Sequence, residues 1–323
     1  MATAVGAASP VPFLAEPAID RLMPMQDAIA VLEQAWRSDP GDGPEIRRAV
    51  SPVPGGHLLS MPAAVPGALG VKIITVAESR LSPDVPRVNG AYLLFDAADL
   101  TVRAILDAAS VTRLRTAAVS AVAAKALATP DAEVLVVFGT GIQARGHVAA
   151  MACIRPIGRV HIVGRKRAAA SALAGELRRQ GLNAGAGEPE SVAEADIVCT
   201  CTTSPEPVFD GRLLSQTAHV TAVGSFQPGM REIDDYTAAH CAIVVETRAA
   251  VLAEAGDILI PLAAGVIDES AIVADLAELT SGAVPVDPGQ RTLFKSVGVA
   301  FEDLIIAQEI VRRHEAGLAR TGA

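Results

Sequence analysis

Aromatic residues are scarce in this chain: one Trp, two Tyr and seven Phe among 323 residues. That is too few for the stacking platforms on which single-stranded nucleic acid is held. Positive charge is also in deficit, with 27 Lys and Arg against 36 Asp and Glu and a formal net charge of −9. The imbalance argues against nucleic acid and against anionic membrane surfaces as partners. No apolar run approaches the roughly 20 residues that cross a bilayer. The opening residues lack the basic-then-apolar pattern of a signal peptide. Cys153, Cys199, Cys201 and Cys241 are scattered, and C-x-C alone is a poor zinc site. Buried thiols in a cytoplasmic, reduced protein are therefore expected. The six histidines show no metal-ligand spacing, so no metal is expected. No G-x-S-x-G nucleophile motif is present either.

What is abundant is aliphatic: half the residues are hydrophobic, mostly Ala, Val, Leu and Ile. The length suffices for two domains. Residues 1–50 carry one helical pattern, "MQDAIAVLEQAWRS", ahead of the turn-rich "DPGDGPE". Between about residues 56 and 106, short apolar runs separated by Pro and Gly predict a mostly antiparallel sheet. An Ala-rich helix follows, "SVTRLRTAAVSAVAAKALAT", with Ser110 as its candidate N-cap. Beyond Pro130 strand and helix patterns alternate, which predicts a parallel sheet with crossover connections. The expected fold class is α/β, a dinucleotide-type domain inserted between two parts of another domain.

"VLVVFGTGIQA" places Gly139, Gly141 and Ala144 in a G-x-G-x-x-G/A arrangement between an apolar strand and a helix. The first glycine permits the tight turn and the second lets backbone approach a pyrophosphate. A small third residue allows close packing, and the helix N-terminus offers N–H groups to phosphate. At the end of the next strand, "VGRKR" puts Gly164 where NAD enzymes commonly keep an acid for the ribose 2′-hydroxyl. Arg165, Lys166 and Arg167 follow, so a 2′-phosphate is expected and NADPH is preferred, with NADH possible.

Two cations sit where the pattern asks for hydrophobes. In "GVKIITV" alternation puts Lys72 on a face with Ile74 and Val76, a costly place for an ammonium without an anion. A lysine snorkelling to water from an edge is the competing reading. In the Ala-rich helix Arg115 falls among Val111, Ala118, Val119 and Val122, whereas Arg113 falls near Ser120 on a more solvent-like face. A guanidinium can hold a carboxylate bidentately, and a structural salt bridge is the rival. Arg47 and Arg48 offer a third cation. Ser225, after Gly224, reads as a hydrogen-bonding loop residue rather than a nucleophile. These features suggest a small carboxylate-bearing substrate next to a nicotinamide.

Several stretches together resemble the ornithine cyclodeaminase/mu-crystallin family: "LLSMPA" with "GVKIITV", "LDAASVTRLRTAAVSAVAAKAL", "VFGTGIQA", "ADIVCTCTTS", "VGSFQPGMREIDD", "AEAGDI" and "LFKSVGVAFEDL". They span about residues 45–310 in the expected order. The resemblance implies a Rossmann-type doubly wound sheet (residues 119–295) inserted into a second α+β domain for substrate binding and dimerisation. That second domain comprises residues 1–118 and a returning helix, residues 296–323. It implies that Arg48, Lys72 and Arg115 hold the substrate carboxylate, with Lys72 and Arg115 catalytic. It further implies that Gly139, Thr140, Gly141, Ile142, Gln143, Thr202, Val223, Gly224, Ser225 and Ser296 line the cofactor, while Val297 adjoins the substrate.

Two departures separate the branches of the family. Ornithine cyclodeaminases carry an aspartate in the opening loop where this chain has Phe226, and a glutamate where it has Leu59. Without either acid an ornithine ammonium has no evident partner. Archaeal-type alanine dehydrogenases also carry that loop aspartate. The likeness is closest to bacterial members that reduce cyclic ketimines, the Δ1-pyrroline-2-carboxylate and Δ1-piperideine-2-carboxylate reductases. A ketimine already has its C=N bond, so the loop needs no acid and Phe226 can line an apolar pocket for the ring. The implied reaction is hydride transfer from NAD(P)H to C2, giving L-proline or L-pipecolate, in a homodimer. Alternatives are an alanine dehydrogenase or open-chain imine reductase, an ornithine cyclodeaminase using a displaced acid such as Glu232, and a mu-crystallin-like protein that binds NADPH and a ligand without turnover.

Overall fold

The computed structural model describes residues 10–38, 48–77 and 85–321; Arg47 lies outside them. In chain order the helices and strands are β1 Phe13–Leu14, α1 Glu16–Leu22, α2 Met25–Arg37, β2 Ala49–Val53, β3 Gly56–Val65, β4 Ala68–Ala77, β5 Val88–Phe95, β6 Val102–Asp107 and α3 Ala108–Leu127. Then come β7 Val134–Phe138, α4 Ile142–Ile154, β8 Arg159–Val163, α5 Arg167–Arg179, β9 Ala184–Ala186, β10 Ile197–Thr200, β11 His219–Ala222 and α6 Asp235–His240. The chain closes with β12 Ala242–Val245, α7 Arg248–Glu254, α8 Gly256–Ala263, β13 Ile272–Asp275, α9 Leu276–Ser281, β14 Thr292–Lys295 and α10 Ala300–Thr321.

The chain divides into two compact units. The first gathers residues 1–24, 42–112 and 303–323, the second residues 25–41 and 113–302. The divisions expected from the resemblance fall at 118/119 and 295/296. Residues 25–41 group with the second unit because the amphipathic α2 buries Ala28, Ile29, Leu32 and Trp36 and packs against α4 and α9.

The first unit is built on a six-stranded sheet, order β1-β6-β5-β4-β3-β2, antiparallel except for the β1–β6 pair. Side chains alternate between its faces. One cross-strand row, Met61–Lys72–Tyr92–Leu106–Leu14, is buried throughout. The next row, Pro62–Val71–Leu93–Ile105–Phe13, points to the opposite face and ends on Phe13, which is 62% exposed. Ile73 and Leu58 lie exposed on that same apolar face. Within this unit α10 is tied to the sheet by Lys72–Asp303 and Arg103–Glu315 ion pairs.

The second unit holds an eight-stranded parallel sheet, order β13-β12-β14-β11-β10-β7-β8-β9. From β7 the chain moves to β8 on one side and later returns to β10 on the other. The carboxyl ends of β7 and β10 thus form the topological switch point, where open α/β sheets bind their ligands.

Two local expectations are corrected. Ser110 does not cap α3: the helix starts at Ala108, and Asp107 Oδ1 accepts from Ser110 N at 2.7 Å and from its hydroxyl at 2.6 Å. An aspartate just before the first turn does the cap's work. The Ser120 side of α3 is not solvent-like: Ser120 is fully buried and its hydroxyl lies 2.9 Å from His147 Nε2. Arg113 on that side is half-buried. Alanine-rich helices pack closely on every side, so their periodicity marks no outer face.

His147 and His219 are buried polar groups with complete partner sets. His147 Nδ1 lies 2.8 Å from the Gln143 carbonyl, and His219 bridges the Thr292 and Thr221 hydroxyls at 2.9 Å each. Burial lowers both imidazoles from 6.5, His147 to about 4 and His219 to about 3, the latter helped by Arg155. The unfolded chain therefore binds protons that the folded chain refuses as pH falls below about 6.5. Stability from these residues is complete above that pH and declines toward pH 4. The unfolding free energy from urea titration should be lower at pH 5 than at pH 7, by up to about 1.4 kcal/mol per pH unit for each histidine. His219→Gln should reduce that slope; an unchanged slope would exclude His219 as a cause.

Candidate active site

The glycine loop follows β7 in the second unit. Gly139 has φ +118°, and a Cβ there would lie 2.6 Å from the Cys201 carbonyl oxygen, so only glycine fits. Its N–H donates to the Val163 carbonyl at 2.8 Å, linking β7's end to β8's. Gly141 is the N-cap of α4, with no side-chain cap and no atom within 4 Å of where its Cβ would stand. Glycine at the N-cap of this 13-residue helix thus brings no capping side chain of its own and leaves open space where its Cβ would stand. Ala144 is fully buried against the sheet, while Ile142 is exposed. The room beside Gly141, at the N-terminal end of a helix, fits a pyrophosphate.

Gly164 has its own constraint: a Cβ there would meet the Thr140 methyl at 2.7 Å. Any side chain at this position, an acid included, would have to displace the Thr140 methyl. Arg165 and Lys166 are exposed and form no ion pair among the described residues, whereas Arg167 pairs with Glu188.

The loops after β10 and β11 are tied by a fully buried carboxylate, Glu232, which enters the sequence analysis only as a displaced acid for a cyclodeaminase. Thr202 donates to it through N and Oγ1, each at 2.7 Å; Gly224 N donates at 2.7 Å and Thr200 Oγ1 at 2.9 Å. Asp257 accepts from the backbone N of Glu232 and Ile233 at 2.6 and 3.1 Å, and pairs with the buried Lys295 at 2.7 Å. Lys295 donates in turn to the Ser225 carbonyl at 2.7 Å. The Ser225 hydroxyl bonds the Met230 carbonyl, which makes it a loop-closing residue as expected. Phe226 is half-buried and packs against the apolar core around this sheet, and Val297 is buried in the same core. Val223 N bonds the Thr200 carbonyl at 3.1 Å.

Arg115 is 4% exposed and donates to Glu302 at 3.0 Å. Gly298 has φ +81°, and a Cβ there would sit 2.6 Å from both terminal nitrogens of that guanidinium. Glu246 fixes the approach by accepting from Ser296 Oγ, Val297 N and Gly298 N at 2.9, 3.2 and 2.7 Å.

In the first unit Lys72 is 1% exposed and donates to Asp303 Oδ2 at 2.7 Å. It does not snorkel; its anion is an acid of its own chain. Arg48 is half-buried just before β2.

Glu246, Asp257, Lys295, Glu302 and Asp303 were missed in the sequence. Lys295 could have been found by the criterion that flagged Lys72, a charge inside an apolar strand. Among the described residues no cluster of His, Cys, Asp and Glu is arranged to hold a metal. Burial pushes the thiols of Cys199 and Cys201 up, and that of Cys241 up to about 12, which leaves them unreactive.

A model of the ornithine cyclodeaminase/mu-crystallin family matches residues 13–317. The chain is 36% identical over 268 residues to the Δ1-pyrroline-2-carboxylate reductase of Bacillus cereus, covering 79% of this chain and 81% of that one. It is 34% identical over 264 residues to the ketimine reductase mu-crystallin of Mus musculus, covering 81% and 82%. Among solved structures, the Δ1-pyrroline-2-carboxylate reductase of Thermococcus litoralis in complex with NADH and L-proline matches with a TM-score of 0.90 and 30% identity, over 95% of this chain and 98% of that one. Sequence and fold agree across nearly the whole length, and the chain belongs to the ornithine cyclodeaminase/mu-crystallin family.

Proposed function

We propose that this protein reduces a cyclic ketimine carboxylate, Δ1-pyrroline-2-carboxylate or its six-membered homologue, to L-proline or L-pipecolate. The observation that carries the reading is the state of the loop after β11. Its one buried acid, Glu232, is engaged by four donors, and Phe226 stands where a catalytic acid would be needed for deamination. A ketimine needs no such acid.

Arg48 and Arg115 hold the C2 carboxylate, and Lys72 lies toward the imine nitrogen or the carboxylate. A guanidinium carries five N–H donors, so Arg115 can serve Glu302 and a substrate together. A dihydronicotinamide held by the residues named below would supply the hydride for C2. The C=N π electrons then pass to the ring nitrogen, so a protonated ketimine becomes a secondary amine, and a neutral one takes its proton by way of Lys72 and water. The protein's part is positioning and charge.

Gly139, Thr140, Gly141, Ile142 and Gln143 cradle the pyrophosphate; Thr202, Val223, Gly224, Ser225 and Ser296 line the remainder, with Val297 beside the substrate. Arg165 and Lys166, exposed and without an ion pair among the described residues, favour NADPH. Replacing both with alanine should raise KM for NADPH about ten-fold or more, the worth of a charged hydrogen bond, and leave KM for NADH unchanged. Equal effects on the two cofactors would remove these residues from 2′-phosphate recognition. The apolar outer face of the six-stranded sheet supports a homodimer, since a second copy would cover it.

The experiment follows NADPH absorbance with freshly generated Δ1-pyrroline-2-carboxylate, and with pyruvate plus ammonia or methylamine, and with ornithine, in parallel. Rapid oxidation with the ketimine alone is expected. Oxidation only with pyruvate and amine would identify an open-chain imine reductase or alanine dehydrogenase. Proline and ammonia from ornithine without net NADPH change would identify a cyclodeaminase, and tight NADPH binding without turnover a storage protein.

A further inference from the structure

Each oxygen of the Glu232 carboxylate faces one backbone donor: Oε1 takes Thr202 N and Oε2 takes Gly224 N, both at 2.7 Å. A backbone N–H cannot turn round to accept. An amide at this position would therefore set its NH2 against one of the two in either orientation, whereas the threonine hydroxyls can rotate. Burial pushes the Glu232 carboxyl up and Lys295 opposes it; the ionised form alone has both oxygens open to all four donors. The two chain segments drawn together come very close, for a Cβ on Gly224 would stand 2.0 Å from the Thr202 carbonyl oxygen.

Thr202 and Gly224 follow neighbouring parallel strands and are residues to which the proposed function gives the cofactor. We propose that Glu232 is a positioning residue for the nicotinamide cofactor. It clasps the ends of β10 and β11 so that the backbone of both loops presents one fixed surface to the dinucleotide. The inference rests on the cofactor reading above. Asp257 and Lys295 back the clasp from below: Asp257 fixes the backbone of Glu232 itself, and Lys295 fixes the start of the loop at Ser225. The acid that looked available for chemistry is spent on geometry.

The test uses the full chain and NADPH as the probe. Glu232→Gln is titrated with NADPH, read by dihydronicotinamide fluorescence, well below the variant's own unfolding midpoint, and its steady-state constants are measured at that temperature. Kd and KM for NADPH should rise about ten-fold or more, while KM for the ketimine stays within about three-fold, the loss being that of a bond to a charged group. A variant with a lower unfolding midpoint but unchanged NADPH constants would overturn the proposal, because a merely structural clasp predicts that result. Should Glu232→Gln fail to fold, Thr200→Val removes one donor to the same carboxylate from within β10. It should weaken NADPH binding about three- to ten-fold, and an unchanged Kd would overturn the proposal equally. A wild-type protein that binds neither NADPH nor NADH would overturn the cofactor reading and this inference with it; unchanged constants in a variant of a binding wild type overturn the inference alone.

Discussion

Lys72→Met should lower kcat/KM for the ketimine by about ten- to a hundred-fold, the worth of one or two hydrogen bonds to a charged group. It should also destabilise the fold, because it leaves Asp303 buried without its 2.7 Å ammonium partner. Breaking a buried ion pair from one side costs about 3–5 kcal/mol. The two effects have different origins and can be separated. In Lys72→Met/Asp303→Leu both charges leave the apolar face, and replacing a buried pair with hydrophobes is often neutral or stabilising. The unfolding temperature should then recover most of its loss while activity does not recover. Activity returning with stability would mean that Lys72 serves the fold alone.

The second large effect lies in the glycine loop, where two substitutions of the same size should differ in kind. Gly139→Ala places a methyl 2.6 Å from the Cys201 carbonyl at φ +118°, a conformation that L residues rarely adopt. Strain of about 1–3 kcal/mol is expected, together with displacement of the segment leading to Thr202. Both the unfolding temperature and NADPH affinity should fall, the latter about a hundred-fold. Gly141→Ala meets no protein atom within 4 Å and should leave the unfolding temperature nearly unchanged. On the cofactor reading proposed above, its methyl would occupy the approach of the pyrophosphate, so affinity should fall about as far. Paired thermal unfolding and NADPH titration check both. Equal stability losses, or a Gly141→Ala protein that binds normally, would remove the phosphate cradle from this loop.

The elements that announced themselves in the sequence are those with a period or a turn signature. Alternation in "GVKIITV" gave the face of Lys72, and the flanking strand and helix gave the glycine loop its context. What stayed hidden lies in loops and at the ends of strands and helices. Glu232, Glu246 and Asp257 look like ordinary surface acids in the sequence, because the backbone donors they satisfy come from segments up to 52 residues away. No local pattern encodes that demand. The two-residue β1 and the seven-residue α1 are too short for a period to emerge. An amphipathic helix such as α2 declares that one face will be covered without declaring by which unit. Ser120 failed for the opposite reason: when nearly every neighbour is alanine, a lone hydroxyl looks like a surface mark, although His147 waits to receive it.

The Lys72–Asp303 pair spans 231 residues, and the whole second unit except its short N-terminal piece is made between its partners. During synthesis the strands of the first sheet leave the ribosome early, but the inner face carrying Lys72 lacks its counter-charge until α10 emerges. Closing so long a loop is slow relative to local contacts. The parallel-sheet unit, nearly continuous in sequence from residue 113, can therefore mature first. Lys72 would thus acquire its final environment late in the vectorial birth of the chain, after the parallel-sheet unit that follows it in sequence is already made.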